Sequence, residues 1–341
     1  MAAFAADLDR FQQRHPVVGF PLAVVYKFVD DQGNYLAAGI TYFAFVAIFP
    51  LLLIASSVLG FLLQGDPELE KQVLDSALSQ FPIVGEQLGR PEGLSGSTSA
   101  VVVGALAALY GATGLAQAGQ NAMNVAWSVP RHKRPNPLLG RLRSLALLTL
   151  AGLGLMVVTL STTLASNMSV LGAEVGVVFD SLLRLASVLL SGAVLAVLFR
   201  FATASGLTVR GALPGALTVS LLWHVLQWFG GVFVENVVTK VSSMNAVFAL
   251  VLGLVALIYV AAVIAVLGAE VNVVRARHLY PRALLTPFTD DVELTTADRR
   301  AYAHYAKAQR HKGFEEVHVT FAPKPREEEG RHSEPAQRED A

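Results

Sequence analysis

The sequence predicts an all-α fold: a polytopic membrane protein built as a six-helix transmembrane bundle. An amphipathic helix is expected at the N-terminus and another on the extracytoplasmic side. Three observations lead there. Of the 341 residues, 53% are hydrophobic and 15% charged, against roughly 25% charged in soluble domains. Six segments, at about 36–63, 100–127, 144–165, 182–202, 211–233 and 246–271, reach the ~20 apolar residues needed to cross the hydrocarbon core. The charges that remain gather in the connections, with basic residues in alternate loops.

Residues 1–35 read as a cytoplasmic interfacial region. The stretch MAAFAADLDRFQQRHP sets Phe4, Leu8 and Phe11 on one face. It lacks the apolar run and small-residue cleavage site of a signal peptide, so a helix lying on the membrane surface is expected. Residues 36–272 form the transmembrane domain. After the first crossing, PELEKQVLDSALSQF carries Leu69, Val73, Leu74, Ala77, Leu78 and Phe81 as one stripe and meets Pro82 at its end. That pattern is the amphipathic extracytoplasmic helix, and RPEGLSGSTS after it is a flexible connection. The fifth segment contains Pro214, His224 and Gln227, and the sixth ends in Glu270. Both apolar runs are too long for helices of a soluble core.

Residues 273–341 form a cytoplasmic tail. TTADRRAYAHYAKAQRHKG predicts a helix with a Thr295-to-Asp298 capping signal and Gly313 as its stop. EEVHVTF alternates like a short strand. Beyond about 322 the chain is rich in proline and charge, a composition of disordered segments.

Loop charges orient the bundle. The connection PRHKRPNPLLGRLR holds Arg131, Lys133, Arg134, Arg141 and Arg143 and no acid. Arg200 and Arg210 bracket the fourth connection, and Arg275, Arg277 and Arg282 follow the last helix. With six crossings these regions share one side, so both termini are expected in the cytoplasm.

The second segment, LYGATGLAQAGQNAMNVAW, places Tyr110, Thr113, Gln117, Gln120, Asn121 and Asn124 at helical steps of three and four. A carboxamide facing lipid leaves its donors and acceptors unmet, so this face is expected to point inward. It either ties helices together by hydrogen bonds or lines a polar cavity. At the same inner depth lie Asp30, Asp31 and Asn34, with Tyr42 two turns above Asn34, and Glu270 and Asn272 of the last helix. Asp31, Asn34, Tyr42, Gln117, Asn121, Asn124 and Glu270 are thus candidates for an inner substrate vestibule. Pairing of Glu270 with Arg275 or a backbone donor is the plainer alternative. A second polar level holds Arg184, i,i+4 from Asp180, together with His224 and Gln227. There Arg184 either receives an anionic headgroup or pairs locally and snorkels to the interface.

Several function classes are excluded by pattern. Lys+Arg and Asp+Glu number 26 each, so no excess of positive charge points to nucleic acid, and there is no cysteine. No P-loop, HExxH or GxSxG motif occurs. No cofactor, metal or catalytic residue is therefore expected.

The ordered motifs AAGITYFAFVAIFPLLL, QNAMNVAWSVPRHKRP, RGALPGALTVSLLW and LVALIYVAAVIAVLGAEVNVVRARHLYPR resemble those of the YihY/BrkB family of bacterial inner-membrane proteins, from about residue 20 to 282. The resemblance implies six helices, cytoplasmic termini and interest in Asp31, Gly39, Tyr42, Pro50, Asn121, Trp127, Pro214, Gly215, Gly268 and Glu270. In ENVVTKVSSMNAVFALV, Ser243 and Asn245 stand where the family pattern leads one to expect an aromatic-and-glycine step. The family has been linked to virulence and suspected of transport or lipid export. It has also carried a ribonuclease label, for which this sequence supplies no hydrolytic centre.

The expected function is therefore movement of an amphiphilic envelope substrate such as a lipid, with membrane lipids as partners. The alternative is a non-catalytic scaffold docking envelope or cell-division proteins. A ribonuclease is the least supported reading.

Overall fold

The computed structural model describes residues 2–62, 98–170, 177–204, 206–236, 243–284, 286 and 292–322. The amphipathic helix expected over 67–81, the connection after it and the chain beyond 322 lie outside the described residues. The same holds for the side chains of Pro50 and Asp180.

The described residues are helical with turns and irregular connections between the helices. Helices α1 (Ala2–Arg14) and α2 (Pro16–Asp30) lead into α3 (Gly33–Leu62) and α4 (Thr98–Ala126). Then follow α5 (Pro137–Val170), α6 (Val177–Ala202), α7 (Val209–Asn236), α8 (Ser243–Arg277) and, in the tail, α9 (Thr296–Ala308). Each of the six expected apolar segments coincides with one long helix, α3 to α8. Within the described residues, 138–161, 181–202, 209–230 and 251–277 are long and apolar enough to cross a membrane, and 33–48 is a shorter apolar helix. Leucines such as Leu142, Leu153, Leu185 and Leu221 point outward from these helices. That is how a helix is dressed when lipid, not water, surrounds it.

The N-terminal region divides in two. The first turn of a helix accommodates a proline best, and Pro16 opens α2 after extended His15. Only α1 keeps the character of a separate amphipathic helix. Helix α2 buries Ala23, Val24, Tyr26, Lys27 and Phe28 and packs against α8. Gln32, with φ of 55°, turns the chain between α2 and α3.

Small residues set the helix crossings. Helices α3 and α4 meet at Gly111 and Gly114. A Cβ on Gly111 would stand 2.9 Å from the Ala47 backbone, and one on Gly114 would strike the Phe43 ring. Helices α7 and α8 cross at Gly215 and Gly268, where a Cβ on Gly215 would lie 1.9 Å from the Gly268 carbonyl oxygen. Membrane helices, which gain little from apolar burial against lipid, rely on such close approach. Pro214 deprives α7 of one N–H. Asn272 of α8 bonds the backbone there: Gly215 N donates to Asn272 Oδ1 at 2.7 Å, and Asn272 Nδ2 donates to the Ala212 oxygen at 3.1 Å. The side chain of one helix thus stitches the proline turn of the other.

The largest apolar cluster gathers α2, the ends of α4, α6 and α8, the start of α7 and Ala301 of α9. Two helices stop at this end through the same device. Val129 N bonds the Asn124 oxygen and Leu279 N the Val274 oxygen, with Ser128 and His278 at positive φ. This is a Schellman closure made without glycine.

The tail helix starts as expected: Thr295 caps α9 and forms a reciprocal capping box with Asp298. It stops at Ala308, earlier than Gly313. The stretch expected as a strand, 315–321, takes no regular secondary structure and joins no ladder. A lone segment has no partner for its backbone groups, and β-structure requires one.

Candidate functional site: a buried ionic cluster at one end of the bundle

The α2–α3 junction, the end of α4 and the end of α8 converge around Lys27, which is 1% exposed. Its ammonium pairs with Asp31 one turn on. It also donates to the Ala126 oxygen at 3.0 Å and stands 3.5 Å from Glu270 Oε2. Asp31 is buried and Glu270 has no exposed surface. Of the three donors of an ammonium, Asp31 and the Ala126 oxygen take one each, while Glu270 stands at ion-pair distance without a hydrogen bond. The Tyr305 ring of α9 lies 5.0 Å from the same ammonium, at cation–π range.

The end of α4 attracts cations because its last carbonyls carry the negative end of the helix dipole. Lys27 takes the Ala126 oxygen, Arg277 the Trp127 oxygen and Arg134 the Val129 oxygen. The Arg277 guanidinium also stands 5.7 Å over the Trp127 ring.

A second ionic group seals the first from the tail side. Arg282, fully buried, pairs with Asp298 of α9 and with Asp30 of α2, the latter at 3.0 Å. Ala283 N donates to Asp298 at 3.0 Å, and Gln12 of α1 donates to the Arg282 carbonyl at 2.5 Å. Leu284 N donates to Asp9 at 2.9 Å, and the Tyr26 hydroxyl donates to the Leu284 carbonyl. Burial alone would weaken the charge on Arg282, but the two carboxylates outweigh it and raise its pKa above the ordinary guanidinium value. For Asp30 burial wins over the neighbouring Arg282, and its carboxyl lies above the usual range. Burial and the nearby Asp31 push the Tyr305 phenol up. His304 is pushed down to about 4 by burial and by Arg277.

The candidate residues read from sequence distribute unevenly. Asp31 and Glu270 meet through Lys27. Asn34, exposed, accepts from the Tyr259 hydroxyl at 3.4 Å. Tyr42 is 58% exposed and turns to the outside of α3, its ring edge-on to Phe43. The carboxamide row of α4 splits by side. Gln120 donates to Ser144 of α5 at 2.9 Å, and Asn124 accepts from Ala204 N at 3.1 Å; these two tie helices together. Gln117 and Asn121 are exposed, and Asn121 accepts from Arg134 at 3.3 Å. The row spans about a third of the helix circumference, so packing takes one edge and leaves the other.

Of the second polar level, Arg184 is exposed. His224 Nδ1 lies 2.8 Å from the Ser220 carbonyl and so donates to it, leaving Nε2 to accept from Ser187 at 3.4 Å. Gln227 is half-buried on the same helix. Among the described residues no group of three His, Cys, Asp or Glu side chains gathers to hold a metal.

Sequence reading singles out neither Lys27 nor the use of Arg282. A signal is present in YKFVDD, where Lys27 and Asp31 stand i,i+4 in an otherwise apolar helix.

The family described as "Virulence factor BrkB" matches residues 24–289. Inner membrane protein YhjD of Escherichia coli (strain K12) is 33% identical over 69 residues, 20% of each chain. A UPF0761 membrane protein of Alkalilimnicola ehrlichii is 29% identical over 288 residues, 79% of this chain and 61% of that one. The chain thus spans less than two thirds of either relative's length. No solved structure matches. A family match from within α2 through the segment that follows α8 covers α3 to α8 and Lys27, Asp31, Glu270, Asp30 and Arg282, though not Asp298 of α9, and the chain belongs to the BrkB family.

Proposed function

We propose that this multi-pass membrane protein moves or positions an anionic amphiphile, such as a lipid, across a bacterial inner membrane. It does so without catalysing a reaction or engaging nucleic acid. In this reading α3 to α8 are six crossings and both termini are cytoplasmic, which the basic connections Arg131–Arg143 and Arg275–Arg282 support. The observation that carries it is Glu270. It has no exposed surface, and neither carboxylate oxygen has a hydrogen-bond partner; one Lys27 ammonium, shared with Asp31, stands 3.5 Å away. Intramembrane ionisable groups are expensive and mark substrate or ion paths. The exposed Gln117 and Asn121 supply a polar face for a headgroup on the same half of α4. The test is lipid flux in liposomes holding the purified protein. Flux above that of empty vesicles, lost in Glu270→Leu and Gln117→Leu variants that still insert, supports the reading. Unchanged flux in both variants rejects it.

A scaffold reading is favoured by one feature, the irregular stretch after α9, whose turn leaves Phe314 88% exposed. Such a segment suits strand addition to a partner's sheet edge. Removing residues 309–341 abolishes function under this reading and preserves it under the first.

A further inference from the structure

We propose that the junction of α4 and α5 is a lateral binding site for the phosphate group of an anionic phospholipid in the adjoining leaflet, centred on Arg134 and Asn121. This names the substrate class and entry point of the transport reading above and rests on that reading only for its role in flux.

The site is built before any ligand arrives. Arg134 Nε donates to the Val129 oxygen at 3.2 Å and Nη1 to Asn121 Oδ1 at 3.3 Å. These two bonds fix the plane of the guanidinium and leave its Nη2 edge without a protein partner among the described residues. The Asn121 amide nitrogen, exposed and beside it, is a further donor. A planar edge of donors with a carboxamide N–H alongside matches two oxygens of a phosphate.

The electrostatics ask for an anion. Burial and the neighbouring Arg131 both press the Arg134 charge down, and no carboxylate is among the groups acting on it. Arg143, which donates to the Phe201 and Thr203 oxygens at 2.8 Å each, adds a further cation at the start of α5. Among the described residues none of Arg131, Lys133, Arg134, Arg141 or Arg143 forms a salt bridge. The described salt bridges instead lie in α1, in the tail and in the buried clusters.

Lipid, not a soluble anion, is the source because of what flanks the cations. Leu138, Leu139 and Leu142 are exposed by 73, 56 and 63% in the first turns of α5. They offer acyl chains an apolar seat next to the basic residues. Gln117, one turn above Asn121, is exposed on a helix that also exposes Leu106, Leu109 and Tyr110. An exposed carboxamide at that depth is stable where a headgroup's glycerol and ester oxygens cover it.

Native mass spectrometry of the full chain released from mixed phosphatidylglycerol and phosphatidylcholine nanodiscs tests this. Wild type is expected to keep phosphatidylglycerol in preference to phosphatidylcholine. Arg134→Gln should lower that retention about tenfold, as loss of a charged hydrogen-bonding donor would, and Asn121→Leu severalfold. Arg141→Gln, in the same loop but without the Asn121 partner, should leave it unchanged. Equal retention of the two lipids by wild type overturns the site, as does equal loss in Arg134→Gln and Arg141→Gln. Displacement of the retained lipid by millimolar inorganic phosphate overturns the lipid assignment. Melting temperatures matching wild type exclude misfolding as the cause, and Arg134→Lys, which keeps charge without the planar edge, should recover only part of the retention. Selective binding without flux in wild type sinks the transport reading and leaves the site. Flux that survives loss of selective binding sinks the site and leaves the transport reading.

Discussion

Lys27 and Glu270 stand 3.5 Å apart, neither side chain more than 1% exposed, and Asp31 holds the same ammonium from the other side. Removing one partner of a buried pair leaves an uncompensated charge, which destabilises by roughly 3–5 kcal/mol. Lys27→Met strands two carboxylates at once and should fall at the upper end of that range. Glu270→Gln keeps the shape and deletes the charge that lacks hydrogen bonds, so it should be close to neutral. Thermal melts in detergent check this. A Lys27→Met variant as stable as wild type would mean that the cluster is not electrostatically coupled.

The crossing of α7 and α8 gives a steric prediction. Gly215→Ala would drive a methyl group to 1.9 Å from the Gly268 carbonyl oxygen, a backbone atom that cannot swing aside. The two helices must separate, and the Asn272 bonds across them should go with the contact. At Gly39 a methyl group would meet nothing within 4 Å, so Gly39→Ala should be tolerated. Size-exclusion profiles and melting temperatures of the two variants should differ sharply. Similar behaviour of both would show that the helices slide past each other freely.

Asn272 offers a gentler probe of the same place. Asn272→Leu removes the two side-chain bonds to Gly215 N and the Ala212 oxygen beside Pro214, an expected loss of about 1–3 kcal/mol. Adding Pro214→Ala restores an N–H and removes the ring that opens the ladder. The double variant should therefore be more stable than Asn272→Leu alone. An Asn272→Leu variant as stable as wild type would rule out this stitching role.

Much of this is legible in the sequence. The six apolar runs correspond to α3 through α8 because twenty consecutive apolar residues have few alternatives. The Thr295–Asp298 box sets the start of α9 because capping is a local interaction. Which edge of the α4 carboxamide row is buried is not legible. Periodicity gives the face of a helix, but its neighbours decide the angle, and α5 with the 203–204 turn takes Gln120 and Asn124. The tail reads as separate from the bundle because a short polar helix carries no mark of its docking site. Arg282, reaching back to Asp30 across 252 positions, is a contact that no local pattern encodes.

That docking changes what a truncation means. Removing 283–341 takes away Asp298 and the Tyr305 ring, leaving Arg282 buried with Asp30 alone and Lys27 uncovered. Such a chain should be lost to aggregation or proteolysis whatever the protein does. Removing 309–341 spares α9 and should leave the melting temperature within a few degrees of wild type. If the longer deletion folds as well as the shorter, the ionic seal between α2 and α9 is dispensable.

His304 gives the tail an acid limit. Burial and Arg277 hold its folded pKa near 4, against 6.5 for the free imidazole. Between those values the unfolded chain binds more protons than the folded one, so stability must rise with pH through that window. The contribution is complete above about pH 6.5 and declines as pH falls toward 4. Asp30 acts in the opposite sense, since its raised carboxyl favours the folded state as pH falls, so the net slope is smaller than His304 alone would give. His304→Gln removes the imidazole and should flatten the loss of melting temperature between about pH 6.5 and 4.5. An unchanged slope in that variant would assign the acid sensitivity to other groups.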